Sequence, residues 1–414
     1  MGRYGILGRV LLHSWSPPIH NAFGCTNYHI LQREPEELPA LFADPAMSGI
    51  NVTIPYKQTV MEHCVYLDPL AVEIGAVNTM VRHADGYHGY NTDAYGFAYM
   101  AKVGGVGFDG KKVVVLGSGG SSLMVQTVVK RAGASSVIVV SRGGVNNYEN
   151  LHLHADAQVI VNTTPLGMYP KAGVSPVDLT AFPCCEGVLD LVYNPQKTAL
   201  LLQAEAMGIP HGDGLPMLVA QAKAADELYM NCAIADEKID AVVKQIRHQV
   251  TNIVLVGMPS SGKSTVGDLL AQLSARTAVD LDQGVEQSAG CTIPELFAAQ
   301  GEAGFRAVER VETMKAGQGS GQVIVTGGGV VKDLRNHDAL RQNGRVYHLV
   351  RDVEKLSRDG RPLSANADLE AMWQERAPLY AQASDVTVDN NGAPEETADM
   401  IWRDFCEYFG VERP

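Results

Sequence analysis

The sequence predicts an α/β protein throughout, and three observations carry that prediction. Apolar runs of strand length recur at 113–116, 137–140, 159–161, 188–192, 253–256, 323–325 and 346–349. Helical patterns separate them, and short β-branched runs alternating with helices indicate parallel sheets covered on both faces. Two glycine-rich turns, 117–120 and 257–262, follow directly on such runs. Each opens a nucleotide-binding unit, so two separate nucleotide sites are expected. A length of 414 residues leaves room for two or three domains.

Composition bounds the function before any motif does. Hydrophobic residues at 46% and charged residues at 19% fit a well-packed soluble chain. A formal net charge of −13 argues against a nucleic-acid partner, which needs a basic face. Anionic small molecules remain open, because a few arginines set the potential of a pocket. Seven scattered cysteines form no C-x-x-C pair, and no histidine cluster has zinc-ligand spacing. Free thiols in a reducing, cytoplasmic setting are therefore expected rather than a structural metal. No run approaches the ~18 apolar residues that span a bilayer, and no cleavable apolar stretch opens the chain, so no membrane partner is expected. Nothing in the sequence speaks to oligomeric state.

Taken in chain order, the first signature is His13-Ser14-Trp15-Ser16-Pro17, which alone reads as a helix cap and turn. Next come Gly49-Ile50-Asn51-Val52-Thr53-Ile54-Pro55-Tyr56-Lys57, Gly75-Ala76-Val77-Asn78-Thr79 and Gly89-Tyr90-Asn91-Thr92-Asp93. Lys112 to Ser122 contains the turn Gly117-Ser118-Gly119-Gly120, whose sixth position is Ser122, so the strict G-x-G-x-x-G pattern is not met. The following strand ends at Ser141-Arg142, where an arginine accommodates a ribose 2′-phosphate and an acid would favour NAD. Gly104 to Gly107 reads as a hinge, and a helical pattern runs without Pro or Gly from about Leu218 to His248.

Residues 4–230 resemble the shikimate dehydrogenase family along almost their whole length. The resemblance implies a substrate domain at 1–103, a Rossmann-type NADP domain at 104–215, and closing helices with a linker at 216–249. It implies Lys57 and Asp93 as the catalytic pair, since reducing a ring ketone needs a proton delivered to the forming alkoxide. Ser14 and Ser16 would hold the substrate carboxylate, and Thr53, Asn78 and Gln221 its ring hydroxyls. Gly117, Gly119, Gly120, Ser121, Arg142, Thr163 and Gly214 would hold NADP, with the helix N-terminus near Ser121 facing the pyrophosphate.

The second half opens with Gly257-Met258-Pro259-Ser260-Ser261-Gly262-Lys263-Ser264-Thr265, a P-loop between a strand and a helical pattern. Its backbone N–H groups suit phosphate, with Lys263 reaching the β- and γ-phosphates and Ser264 on Mg²⁺. Further along stand Asp280-Leu281-Asp282, Phe305-Arg306, Thr326-Gly327-Gly328-Gly329, Arg358-Asp359-Gly360-Arg361 and Glu375-Arg376-Ala377-Pro378-Leu379-Tyr380. These segments resemble shikimate kinase across nearly all of 252–414, giving a P-loop NTPase-type kinase domain at 250–414. The resemblance implies Gly257, Gly262, Lys263, Ser264, Thr265, Arg358 and Arg361 for ATP, the last two in a lid. It implies Asp282 against the attacking hydroxyl and Asp280 supporting Mg²⁺. Arg306 and Arg376 would clamp the shikimate carboxylate, with the loop Gly327, Gly328 and Gly329 beside the ring. Ser260 departs from the family, which has glycine there.

The expectation is a fusion that reduces 3-dehydroshikimate with NADPH and then phosphorylates the shikimate formed. Two alternatives remain open: a quinate/shikimate dehydrogenase using NAD fused to a small-molecule kinase, and a ligand-sensing regulator derived from the two modules. Arg142 speaks against the first, and retention of Lys57, Asp93, Lys263 and Arg376 against the second.

Overall fold

The computed structural model describes residues 2–11, 14–356 and 369–413. In chain order the first half holds β1 (Arg3–Gly8), α1 (Ser16–Phe23), β2 (Tyr28–Gln32), α2 (Leu38–Ala43), β3 (Met47–Val52), β4 (Cys64–Leu67), α3 (Pro69–Ile74), β5 (Thr79–His83), β6 (Gly86–Tyr90) and α4 (Asp93–Val103). There follow β7 (Lys112–Leu116), α5 (Gly120–Arg131), β8 (Ser136–Val140), β9 (Val159–Asn162), β10 (Gly187–Asp190), α6 (Ala199–Ala206), β11 (His211–Asp213), α7 (Leu215–Met230) and α8 (Glu237–Val250). The last stretch holds β12 (Asn252–Val256), α9 (Lys263–Ser274), β13 (Thr277–Asp280), α10 (Leu281–Ala289), α11 (Ile293–Gly317), β14 (Gln322–Val325), α12 (Leu334–Arg341), β15 (Gly344–Val350), α13 (Leu369–Ala383), β16 (Val386–Asp389) and α14 (Pro394–Phe409).

These elements form two compact units. The first comprises Met1–Met168, Val174–Tyr193 and Leu200–Val243; the second comprises Tyr169–Gly173, Asn194–Ala199 and Lys244–Pro414. In the first unit, a six-stranded sheet has the order β2-β1-β3-β5-β6-β4. It is mixed: β5 runs antiparallel to β3 and to β6, the latter through a two-residue turn between His83 and Gly86. None of the apolar runs read from the sequence lies in this sheet, so its mixed pairing is new information from the structure. Strands such as Gly86–Tyr90 carry glycine, tyrosine and histidine instead of a β-branched run, so the composition signal never registered them.

The second sheet of this unit, β11-β10-β9-β7-β8, is parallel throughout, as the apolar runs predict. Val113, Val115, Val159 and Leu189 are fully buried and pack with Phe97 and Met100 of α4 in one core. β7 lies between β8 and β9, so the turn after it occupies a switch point where crossovers diverge and ligands bind.

The helical pattern expected from 218 to 248 is in fact two helices. Asn231 adopts φ 48°, the left-handed conformation that ends α7, and α8 begins six residues later at Glu237. Asparagine tolerates that conformation, and it interrupts a helix as glycine would.

The second unit has one parallel sheet, β13-β14-β12-β15-β16. β12 is buried at every position and sits centrally, with its C-terminal end feeding the P-loop. Ile253, Leu255 and Val325 pack beneath α9 and α14, whose Trp402, Phe405 and Phe409 fill that face. Val254, Val256, Ile324 and Tyr380 form the core on the opposite face.

Candidate active sites

In the first unit the turn after β3 and the N-terminus of α4 bring Lys57 and Asp93 together. Lys57 Nζ donates to Asp93 Oδ2 at 2.6 Å, with side chains 22% and 15% exposed. The pair is thus partly shielded yet open on one side, which strengthens its field without sealing it from a ligand. Asn78, at the start of β5, donates from Nδ2 to Thr92 Oγ1 at 3.0 Å and to Gln221 Oε1 of α7 at 3.4 Å. Ser14 and Ser16 meet at the start of α1, where the Ser16 N–H donates to Ser14 Oγ at 3.2 Å. Thr53 lies at the end of β3, its N–H donating to the carbonyl of Leu7.

Buried His20 and Asp226 lock α1 to α7, Nδ1 and Oδ1 standing 2.7 Å apart with both side chains fully enclosed. Those two helices carry Ser16 and Gln221, so this pair sets their spacing. Burial raises the Asp226 carboxyl pKa. Sequence patterns gave no sign of it, since 206 residues separate the partners.

At the dinucleotide turn, α5 starts at Gly120 with Gly119 as a cap that supplies no side-chain bond, and no acid stands in its first turn. Its N–H groups are therefore left for an anion. A side-chain carbon built at Gly119 or Gly120 would meet nothing within 4 Å, so the space before the helix is open. Ser121 lies in the first turn of that helix. Thr163 follows β9 and donates its hydroxyl to the carbonyl of Leu116 at 2.7 Å, which anchors the β9 loop beside the turn. Gly214 caps α7 where a side-chain carbon would fall 2.1 Å from the Leu191 carbonyl oxygen. Arg142 is exposed just past β8, and its charge lowers the pKa of nearby Tyr148 against the effect of burial.

In the second unit the P-loop surrounds a cavity of about 240 Å³ lined by Ser260, Lys263, Ser264, Thr265, Asp280 and Asp282, among others. Gly257 (φ 150°), Ser260 (φ 63°) and Gly262 (φ 93°) all take positive φ. Two of these positions hold the residue such backbone favours, and Ser260 bears a strain that glycine would not. Buried Lys263 donates from Nζ to the carbonyls of Gly257 and Met258, each at 2.9 Å. Asp280 caps α10, accepting from the N–H groups of Asp282 and Gln283. Ser264, Asp280 and Asp282 present hard oxygen donors around one cavity, a set that suits Mg²⁺ beside phosphate. Among the described residues no group of three or more His, Cys, Asp or Glu side chains is gathered as a metal cage.

Glycines 327–329 are where the parts of this site converge. A side-chain carbon at Gly327 would stand 2.6 Å from Asp282 Oδ1, at Gly328 2.6 Å from Pro259 Cδ, and at Gly329 2.4 Å from Arg306 Nη2. The protein's own groups thus crowd this loop and leave no room for side chains on it. Arg376 Nη1 donates to the Gly328 carbonyl at 3.0 Å, and Tyr380 O–H donates to the same oxygen. Arg376 is 6% exposed and its Nε has no hydrogen-bond partner among the described residues, which fits an anion binding there.

Sequence reading gave no role to Glu309. It is 2% exposed and accepts from Arg306 Nη1 at 2.6 Å, while Glu302 holds the same guanidinium from the other side. Burial raises the Glu309 carboxyl pKa and Asp282 adds to the rise, whereas Arg306 opposes it. The i, i+3 spacing from Arg306 was the available signal. Beneath the loop, His348 stacks on Tyr380 and is held to a pKa of about 4, first by burial and then by Lys263. Arg358 and Arg361 lie outside the described residues.

Fold and sites together define a dinucleotide-dependent oxidoreductase unit joined to a P-loop phosphotransferase unit. Residues 6–80 match the shikimate dehydrogenase substrate binding domain and residues 259–405 match shikimate kinase. A shikimate dehydrogenase (NADP(+)) of Clostridium beijerinckii is 34% identical over 57% of this chain and 94% of its own length. Among solved structures, a chorismate mutase/shikimate 5-dehydrogenase fusion protein from Clostridium acetobutylicum is 34% identical, with TM-score 0.57, covering 59% of this chain and 96% of that one. Shikimate 5-dehydrogenase from Thermus thermophilus, solved with NADP(H) and shikimate, is 30% identical, with TM-score 0.54, over 59% and 99%. The chain belongs to the shikimate dehydrogenase family, and it continues into a shikimate kinase domain. It is a bifunctional enzyme of the shikimate pathway.

Proposed function

We propose that the first unit reduces 3-dehydroshikimate to shikimate with NADPH, and that the second phosphorylates shikimate with ATP and Mg²⁺ to shikimate 3-phosphate, toward chorismate and the aromatic amino acids. The observation that carries the reading is the Lys57–Asp93 contact of 2.6 Å in the same unit as the Asn78 and Gln221 amides. Bound NADPH supplies the hydride. Lys57 then faces the developing alkoxide, stabilises its charge and passes it a proton, with Asp93 holding the ammonium in place. Ser14 and Ser16 take the carboxylate, while Thr53, Asn78 and Gln221 read the hydroxyls.

In the second unit Lys263 and the P-loop N–H groups would cradle the phosphates, and Ser264 with Asp280 would hold Mg²⁺. Asp282 orients the attacking hydroxyl in line, and Arg306 and Arg376 clamp the shikimate carboxylate. We assign residues 1–103 to the substrate domain, 104–215 to the NADP domain, 216–249 to the closing helices and linker, and 250–414 to the kinase. The seven free cysteines favour a cytoplasmic setting. Among the described residues no helix is long and apolar enough to cross a membrane.

The test incubates the purified chain with 3-dehydroshikimate, NADPH and Mg-ATP and identifies products by mass spectrometry. Shikimate 3-phosphate formed only with both nucleotides supports the reading. Shikimate alone refutes the kinase half, and no turnover favours a ligand sensor. Oxidation of quinate with NAD at a higher kcat/KM than shikimate with NADP would favour the quinate alternative, which Arg142 opposes.

A further inference from the structure

A run of buried polar side chains lies behind the dehydrogenase residues and has no role in the reading so far. Tyr28, Asn51 and Thr79 are 7%, 4% and 0% exposed, and they come from three different strands of one sheet or its edge. The Tyr28 hydroxyl donates to Asn51 Oδ1 at 2.8 Å, and Asn51 Nδ2 donates to Thr79 Oγ1 at 3.1 Å. Thr79 Oγ1 in turn stands 3.1 Å from Asn78 Oδ1, to which it donates.

The direction of this ladder is fixed at its far end by a group that cannot reverse. The Thr92 backbone N–H donates to Asn78 Oδ1 at 2.7 Å, so that atom must be the oxygen of the carboxamide. Asn78 Nδ2 is thereby turned the other way, towards Thr92 Oγ1 and Gln221 Oε1. Because Asn51 donates to Thr79, the single Thr79 proton is left for an acceptor; Asn78 Oδ1 and Thr92 Oγ1 each stand 3.1 Å away, and the Thr92 hydroxyl itself donates to Asn78 Oδ1 at 3.2 Å, so either route ends on that oxygen. A reversed Asn78 amide would set its NH₂ against two donors in a buried place, which the missing bonds make unfavourable.

We propose that Thr79, backed by Asn51 and Tyr28, is a positioning residue that holds the Asn78 carboxamide with its NH₂ on the Gln221 side, where a substrate hydroxyl takes the place of the long 3.4 Å contact to Gln221 Oε1. The proposal rests on the dehydrogenase reading and assigns it three residues that do not touch substrate. Thr79 is suited to the task because its hydroxyl both accepts and donates, so it passes the orientation of Asn51 on to Asn78. Its neighbour in sequence, immediately before β5, is the residue it orients.

Thr79→Val removes the hydroxyl at nearly constant shape, and Thr79→Ser retains it. Each is made in the full chain, alone and with Asn78→Ala, and KM for shikimate and kcat are measured in NADP-linked oxidation. Kinase turnover of the same samples reports on the fraction of intact protein. Thr79→Val is expected to raise KM about tenfold with kcat changed less than threefold, and Thr79→Ser to stay within twofold. In the Asn78→Ala background the Thr79→Val factor should fall below twofold, since the group it orients is gone. Tyr28→Phe, two bonds further out, should raise KM about threefold and likewise lose its effect beside Asn78→Ala.

A silent Thr79→Val, or a factor that persists undiminished beside Asn78→Ala, overturns the proposal and leaves Thr79 a packing residue. If Thr79→Val does not fold, Tyr28→Phe decides by the same criterion. If Asn78→Ala itself leaves KM unchanged, the shikimate-binding reading of Asn78 fails first and the proposal falls with it.

Discussion

The two glycine turns of this chain follow the same plan and solve it differently. Each leaves the end of a strand flanked on both sides in a parallel five-stranded sheet and enters a helix with no side-chain cap and no acid in its first turn. The P-loop closes round its site: three positive-φ positions in six residues fold it into a cradle, and Lys263 lies against its carbonyls. The turn at 117–120 stays open, with positive φ only at Gly117 and empty space at Gly119 and Gly120. A closed cradle dictates its residues one by one, which makes its sequence specific. An open turn asks only for small residues and leaves selectivity to a group elsewhere, for which we propose Arg142.

That contrast predicts where substitution will hurt. The largest effect concerns the packing behind the closed cradle. His348 is kept neutral at a pKa of about 4, below the ordinary 6.5, by burial and by Lys263. As pH falls, the unfolded chain takes up the proton first. The stability that comes from keeping this ring neutral is therefore present above pH 6.5 and lost between there and pH 4. The shift corresponds to roughly 3 kcal/mol at its full extent. His348→Phe should keep the stacking on Tyr380 and flatten the acid limb of the melting profile of the second unit, read by fluorescence of neighbouring Trp373. An unchanged acid limb would remove this histidine from the account.

For the open turn, selectivity should sit in Arg142. Arg142→Ala is expected to raise KM for NADPH by about 10- to 100-fold and leave KM for NADH within twofold, measured by steady-state reduction of 3-dehydroshikimate. Equal loss with both cofactors would show that the arginine serves the turn and not the 2′-phosphate.

Within the open turn, two glycines should separate stability from binding. Gly117→Ala meets positive φ and Thr163 Oγ1 at 2.7 Å, and should destabilise the first unit by about 2 kcal/mol. Gly119→Ala meets nothing and has φ −80°, so thermal melting should stay within about 1 °C while KM for NADPH rises. A drop in stability for Gly119→Ala would mean the turn is not open.

The smallest effect belongs to Ser260. Ser260→Gly relieves left-handed strain but loosens the unfolded chain, for a net gain of up to about 1 kcal/mol, whereas Ser260→Ala keeps the strain and gains nothing. Melting of the two variants distinguishes these outcomes.

Legibility followed the same division as the turns. The seven apolar runs named from sequence each overlap a strand, the run 188–192 extending two residues past the end of β10, since buried parallel strands need continuous β-branched residues. The mixed first sheet escaped because Tyr28–Gln32 and Gly86–Tyr90 carry polar, aromatic and glycine residues in place of a continuous β-branched run. The break at Asn231 escaped because one residue in left-handed backbone leaves no periodic trace. At the sites, the structure brings Lys57 onto Asp93 and sets Asp282, Arg306 and Arg376 around the glycine loop at 327–329. The groups that hold these residues stayed hidden: Glu309 under Arg306, the His20–Asp226 lock, and the ladder from Tyr28 to Asn78. Partners as far apart in sequence as His20 and Asp226 meet only once the fold exists.

The most direct measurement puts Lys57→Met and Lys263→Met separately into the full chain and follows both half-reactions in each. Lys57→Met should lower the reduction of 3-dehydroshikimate by about 10³-fold or more and leave phosphorylation of added shikimate within twofold. Lys263→Met should do the reverse. If either substitution lowers both activities together, or neither activity responds to its own lysine, the account of two separate nucleotide sites is contradicted.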